Sequence, residues 1–382
     1  MGAEALLNAY LDLNLLLILG TAVWLALRWG LGRTNLSSAF LPQLRLLNGL
    51  TVLLAVSPLF GIAFTTWVIS HPPNISDLLV SQYLQGNVSM SAANFEAVLG
   101  LRESAVRELL AQKEFWAQSL AAVFIFGAVL CSLHVAVSVL RLRRSLRSAF
   151  AWKRIGRVHL LISDTCRVAY STRGLLNRYV VLPSALLQDP RDLRLTVAHE
   201  LQHFRQRDIE CEFLLETLRP LLFWNPAFFL WRREVRMLRE YACDQALAAR
   251  PHFDPRAYCE CLIRACGAAA QKPALFTRTT PAVALVDRRE TRHRSVLRNR
   301  VIAVTATGPE NAGTPAWLFI SGLLAAAVLS STLFIQRPGD WSHDRIMLST
   351  IVNLERMAAR NQNTFGSDPA LHAAPALQPA AN

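Results

Sequence analysis

Residues 196–208 read TVAHELQHFRQRD, and the letters HELQH within them decide how the rest of the chain is understood. His199 and His203 stand one helical turn apart, so they project from one helix face with Glu200 beside it. Two imidazole nitrogens at about 2.0–2.1 Å suit zinc, and a neighbouring carboxylate can take a proton from metal-activated water. A surface helix with two spare histidines spells the same letters. The apolar Val197, Ala198 and Leu201 around the motif favour the metal reading. Upstream, Asp189 is placed to cap the helix, with Pro190 at its first position.

A catalytic zinc takes three protein ligands and keeps one position open. Downstream carboxylates are plentiful: Asp208, Glu210, Glu212, Glu216, Glu234, Glu240 and Asp244. In REVRMLREYACDQALAA (233–249), Glu240, Cys243, Asp244 and Leu247 recur on one helical face. Two carboxylates on a face otherwise small and apolar need a cation if buried. Glu240 as ligand, with Asp244 accepting the second N–H of a ligand histidine, meets that need. A surface Arg236–Glu240 pair one turn apart accounts for the same spacing, and the residues alone leave the choice open.

Outward from the motif, the chain is apolar in blocks. Its 382 residues are 52% hydrophobic with a net charge of +13, a balance that fits membrane spans with cationic flanks better than a nucleic-acid binder. Residues 5–27, 48–70, 117–140 and 316–335 are each long enough to cross a bilayer as a helix. The first has no basic N-terminal flank and is too long for a signal-peptide core. Arg28, Arg33 and Arg45 follow it; seven Arg and Lys residues between 141 and 157 follow the third span; Arg298 and Arg300 precede the fourth. That asymmetry puts the N-terminus outside and the loop bearing the motif in the cytoplasm. The seven cysteines, all between 131 and 266, suggest no disulfide framework and fit a reducing compartment.

The predicted segments are 1–47 (first span and cytoplasmic loop), 48–70 (second span), 71–116 (extracytoplasmic and helical) and 117–140 (third span). Then come 141–315 (the cytoplasmic metallopeptidase domain), 316–335 (fourth span) and 336–382 (a short tail, partly disordered). Ser91 is placed to cap a helix with Phe95, Val98, Leu99 and Val106 at helical spacing; Ile346, Met347, Ile351, Leu354 and Met357 suggest another over 343–360. RVHLLIS (157–163) and RYVVLP (178–183) read as strands, which gives an α+β domain. PLLFWNPAFFLW (220–231) is too short to span and reads as membrane-grazing or re-entrant, a buried core segment being the alternative. In CECLIRAC (259–266), Cys259, Leu262 and Cys266 read as one core-facing stripe. The arginine run at 141–157 lacks interleaved aromatics, so no direct nucleic-acid contact is expected.

Together VAHELQHFRQRD, FWNP, REYACD and RSVLRNRV, set after three spans and before a fourth, resemble the BlaR/MecR-type membrane zinc metallopeptidases, antirepressor signal transducers. The resemblance covers roughly residues 1–335 and implies one zinc on His199, His203 and Glu240, with Glu200 as catalytic base and Asp244 behind the ligands. It further implies a membrane protein of four transmembrane helices with a cytoplasmic α+β gluzincin-like domain between spans three and four. The setting is the bacterial inner membrane and the substrate a peptide bond, in a cytoplasmic repressor and in the chain itself. Residues 284–300, polar and arginine-rich, are the expected self-cleavage region, near Arg288–Arg289; a cationic linker at the lipid surface is the plainer reading. The best-known members carry a penicillin-binding sensor with Ser-x-x-Lys. Here Lys113, Lys153 and Lys272 are preceded three positions earlier by Leu110, Phe150 and Ala269, so the expectation is that this chain lacks that sensor. Alternatives are an HtpX-like quality-control protease and a non-proteolytic transducer that keeps the zinc fold. The intact Glu200 favours proteolysis. No oligomeric state follows from the sequence.

Overall fold

The computed structural model describes residues 3–67, 75–174, 176–270, 282–285, 294–305, 314–335 and 343–365. The first half is helical: α1 (Ala3–Leu31), α2 (Phe40–Trp67), α3 (Ile75–Leu84), α4 (Ala92–Ala111) and α5 (Phe115–Arg147). Strands β1 (Phe150–Ile155), β2 (Val158–Ser163), β3 (Tyr170–Arg173) and β4 (Arg178–Pro183) precede helices α6 (Pro190–Gln206), α7 (Asp208–Leu222), α8 (Pro226–Ala248) and α9 (Pro255–Ala270). The short β5 (Val283–Ala284) and helices α10 (Arg294–Thr305), α11 (Thr314–Ile335) and α12 (His343–Phe365) complete the chain. Four of these helices are long and apolar enough to cross a membrane: α1, Phe40–Gly61 of α2, α5, and Pro315–Ile335 of α11. They overlap the four apolar blocks of the sequence, the second least closely: Phe40–Gly61 starts eight residues before the expected 48–70, whose residues 68–70 lie outside the described residues. The chain is a membrane-associated, mostly helical protein with one small mixed sheet.

It divides into two compact units. One holds residues 1–12, 57–118 and 329–382, the other residues 13–56 and 119–328. In the first, α3, α4 and α12 enclose a core of Val80, Ala92, Phe95, Leu348 and Val352. Ser91 caps α4 as its sequence suggests, accepting from the Asn94 amide, and the Glu355 carboxylate accepts from the Ala92 and Ala93 amides at 3.2 and 3.3 Å. The buried stripe of α12 is Leu348 and Val352, whereas Ile346, Met347, Leu354 and Met357 are exposed. In the same unit Arg102 donates to Asp12 at 2.6 Å, pairing a carboxylate in an apolar helix.

The second unit is built on the sheet, in order β1-β2-β4-β3-β5. β2 and β4 run parallel and the other pairs antiparallel, with β3 meeting β5 at Tyr170–Ala284 and Ser171–Val283. Because β2 and β4 are covered on both faces, they read as unbroken apolar runs rather than alternating ones. Leu160, Val180 and Leu182 pack beneath Phe204 and Ile209, while Leu161, Val181 and Tyr170 meet Leu142 from the end of α5. The stretch 220–231 forms the corner between α7 and α8. Phe228 and Trp231 are buried there, and Trp224, Phe229 and Leu230 are exposed. Gly127 of α5 makes room for that corner: a Cβ there would lie 2.5 Å from the Phe223 ring.

α8 is fastened to α1 and α2 by polar contacts. Asn225 caps it by accepting from the Ala227 amide and donates to Asn14 Oδ1 at 2.9 Å. Trp231 donates to Thr51 at 2.8 Å, Trp24 and Arg28 reach Glu234, and Gln245 donates to the Ser38 carbonyl at 3.0 Å. On another side Glu212 of α7 accepts from Arg232, Arg236 and Arg239, which locks α7 to α8.

Candidate metal centre

α6 starts on the cap read from the sequence, with Asp189 accepting from the Arg191 and Asp192 amides and Pro190 at its first position. One flank, through Leu193, Val197 and Leu201, packs on the sheet. The stripe turned toward α8 is polar: His199, Glu200 and His203, all fully buried. Buried charge at this density requires compensation, and the site supplies it from three helices.

His199 Nε2 and His203 Nε2 stand 3.1 Å apart. Glu240 of α8 stands beside them, its Oε2 3.5 Å from His199 Nε2 and its Oε1 3.9 Å from His203 Nε2. A tetrahedral metal with bonds of about 2.0–2.1 Å holds its donors about 3.3 Å apart, close to the 3.1 Å between the two Nε2 atoms and the 3.5 Å from His199 Nε2 to Glu240 Oε2. The backs of both rings fix the tautomers. His203 Nδ1 donates to Asp208 Oδ2 at 2.8 Å, and His199 Nδ1 donates to the Tyr258 hydroxyl at 2.7 Å, which in turn donates to Asp244 Oδ1 at 2.6 Å. With both protons on Nδ1, the two Nε2 lone pairs face each other, an arrangement that a cation relieves. Burial, with Arg300 nearby, pushes the His199 pKa down to about 3, and burial also lowers that of His203, so both rings are neutral.

Five site residues of the sequence reading, His199, Glu200, His203, Glu240 and Asp244, lie among the described residues. His199, His203 and Glu240 converge, with Glu200 on the same buried stripe. Asp244 lies 3.6 Å from His199 Nδ1, beyond a good hydrogen bond, and acts on it through Tyr258. Arg236, the alternative partner of Glu240, turns to Glu212 instead. Arg288 and Arg289 lie outside the described residues. Cys243 forms a further donor group with the two histidines, one atom from each falling within 4.8 Å of the others. Its sulfur sits 3.4 Å from His199 Nδ1, behind the ring, and burial with Asp244 and Glu240 nearby holds the thiol pKa well above its usual value. The ring-front donors are the two Nε2 atoms and Glu240.

Arg300 of α10 is the residue that sequence reading assigned to membrane topology and the structure buries completely. Its Nε and Nη2 donate to the two oxygens of Asp244 at 2.7 and 2.8 Å, Nη1 donates to the Leu285 carbonyl at 2.7 Å, and Nη2 lies 3.3 Å from Glu240. Burial opposes ionisation of Asp244, but this fork overrides it and keeps the Asp244 pKa below the usual value. Glu240 and Glu200 go the other way. Burial raises both; at Glu200 the Ser171 hydroxyl, whose own bond goes to the Val283 carbonyl at 3.4 Å, and Arg300 offset it only in part. Glu240 Oε2 and both Glu200 oxygens lack a well-formed hydrogen bond. Orphaned buried carboxylate oxygens around converging imidazoles fit a dication.

The sequence matches a family model described as BlaR1 peptidase M56 over residues 13–290. The chain belongs to that family. No curated protein matches it. Membership in the M56 peptidases makes the chain a membrane-associated peptidase of a signal-transducer family, one whose chemistry uses a metal, and His199, His203 and Cys243 form a group that could hold one. The matched region contains α6, α8 and α9, and it stops short of α10, so Arg300 lies beyond it.

Proposed function

We propose that the chain is a zinc-dependent endopeptidase of gluzincin type, anchored in the bacterial inner membrane with its N-terminus outside and its site facing the cytoplasm. Its substrate is a cytoplasmic regulator such as a transcriptional repressor, and it also cuts itself near Arg288–Arg289. The observation that carries this reading is the convergence of His199 Nε2, His203 Nε2 and Glu240 beside a buried Glu200 whose oxygens lack a well-formed hydrogen bond among the described residues. The basic residues at 141–157 support the orientation.

In this assignment His199, His203 and Glu240 hold the zinc, which when bound supplies Lewis-acid polarisation of the scissile carbonyl and of water. Glu200 takes the proton of the attacking water and passes it to the leaving amine. Asp208 and the Tyr258–Asp244 pair keep the ligand rings in register. Self-cleavage is supported by the path of the chain: β5 pairs with β3 beside Glu200, Leu285 is held by Arg300, and three residues further on is Arg288.

The test uses the full chain in native membranes with a co-expressed repressor encoded beside it. Glu200→Gln should retain zinc and abolish both repressor cleavage and the N-terminal fragment ending near Arg288. Near wild-type processing by Glu200→Gln overturns the catalytic assignment. A fragment that persists in that variant while repressor cleavage is lost assigns self-cleavage to another protease.

A further inference from the structure

Between the start of α2 and the start of α11 lies an open groove of about 450 Å³. Its walls are Leu46, Leu50, Leu53 and Leu318, and no acidic residue lines it. Two polar groups stand at one end. Arg45 is exposed and has no ion-pair partner among the described residues. Trp317 is only 3% exposed, yet its indole Nε1 has no hydrogen-bond partner among the described residues. A buried donor without an acceptor is uncommon and marks a place where an acceptor binds. The opposite end is apolar: Leu53 and Ala325 each lie eight residues further along their helices, about 12 Å at 1.5 Å per residue. Gly49 opens the wall between, since a Cβ there would meet nothing within 4 Å. A cation and an N–H donor at the mouth, followed by an apolar trough inside two helices suited to a bilayer, describe one ligand chemistry.

We propose that this groove binds an anionic glycerophospholipid, its phosphate taken by Arg45 and the Trp317 indole and one acyl chain lying along Leu50 and Leu53. A phosphate gives the buried indole an acceptor and the exposed guanidinium a counter-charge, and charge-assisted bonds of this kind are the strong ones. The site is separate from the metal centre and does not depend on the peptidase reading.

The test is native mass spectrometry of the full chain released from phosphatidylcholine nanodiscs doped with phosphatidylglycerol. The wild type should retain phosphatidylglycerol in preference to phosphatidylcholine. Arg45→Gln should weaken that retention about tenfold, as expected for losing a bond between charged groups. Gly49→Leu, which fills the trough, should abolish it with the thermal midpoint in pure phosphatidylcholine unchanged. Should Gly49→Leu unfold, Arg45→Gln, at an exposed position, carries the test alone. Equal retention by wild type and Arg45→Gln, or no preference between the two lipids, overturns the proposal. So does displacement of the lipid by inorganic phosphate, which would reduce the site to an anion contact. A dimer mass lost in Gly49→Leu without any change in lipid would assign the groove to a second copy of the chain.

Discussion

Tyr258 accepts from His199 Nδ1 at 2.7 Å and with the same hydroxyl donates to Asp244 at 2.6 Å, so a phenol transmits the carboxylate's pull to a ring that the carboxylate does not touch. Tyr258→Phe should therefore keep the fold and lower metal affinity roughly 10- to 100-fold, the usual cost of losing an outer partner of a ligand histidine. Chelator competition on the purified protein measures this, and an unchanged affinity would show that the phenol does not orient the ring.

Glu240 and Cys243 compete for the third ligand position. Glu240 faces the Nε2 atoms and Cys243 lies behind His199. Glu240→Ala should lose stoichiometric metal, whereas Cys243→Ala should retain it. The reverse result in a metal assay would make the donor set two histidines and a thiolate.

Glu212 is surrounded by Arg232, Arg236 and Arg239. Burial alone would raise its pKa, but Arg236, Arg239 and Arg232 overcome that and hold it well below the usual carboxylate range. A carboxylate with a depressed folded pKa contributes stability that is complete above its unfolded pKa of about 4.3 and is lost as pH falls toward the folded value. Glu212→Gln should cost about 3–5 kcal/mol at neutral pH, because the buried Arg232 and Arg239 and the half-buried Arg236 lose the carboxylate they share. Its stability in detergent should also change less between pH 5 and pH 3 than that of the wild type. Parallel acid profiles of the two proteins would exclude the ionised network.

Asn225 both caps α8 and donates to Asn14. Asn225→Ala should destabilise by about 1–2 kcal/mol through the cap, with a further loss from the stranded Asn14. Asn225→Asp should recover the cap but not the donor. Denaturant midpoints in one detergent rank the three proteins, and equal midpoints for Ala and Asp would deny the cap its part.

Much of this was legible in the sequence, for reasons that differ from residue to residue. His199, Glu200 and His203 are bound by helical spacing, a local constraint, and the Asp189 cap with Pro190 is local as well. β2 and β4 stood out because a parallel pair covered on both faces must be apolar throughout. β1, wholly exposed, and β3, whose Ser171 and Thr172 are buried polar residues, carry no such pattern. Asp208 was visible as a carboxylate but not as a partner. The left-handed backbone of Arg207, at φ 61°, folds it back onto His203, and no glycine announces that turn. Tyr258 and Arg300 come from distant helices. The available signal for Arg300 was a charge set in the apolar stripe of Leu297 and Val304. On α12 the buried face is Leu348 and Val352, one of two apolar faces, and sequence alone does not say which one finds a partner.

Arg300 also gives the site a history within each molecule. Ribosomes deliver α6, α8 and α9 before α10, so for a time Asp244 and Glu240 exist without the guanidinium that later seals them. A nascent chain in that interval has two uncompensated carboxylates beside open imidazoles, which favours the capture of a cation over closure. Chains stalled before residue 300 should therefore bind metal quickly and release it quickly, whereas finished chains should do both slowly. Exchange rates measured on arrested and completed chains would reveal the difference; identical rates would mean that the arginine arrives too late to matter. Slower exchange in finished chains would place metal entry before α10 emerges and make Arg300 the group that closes over the site.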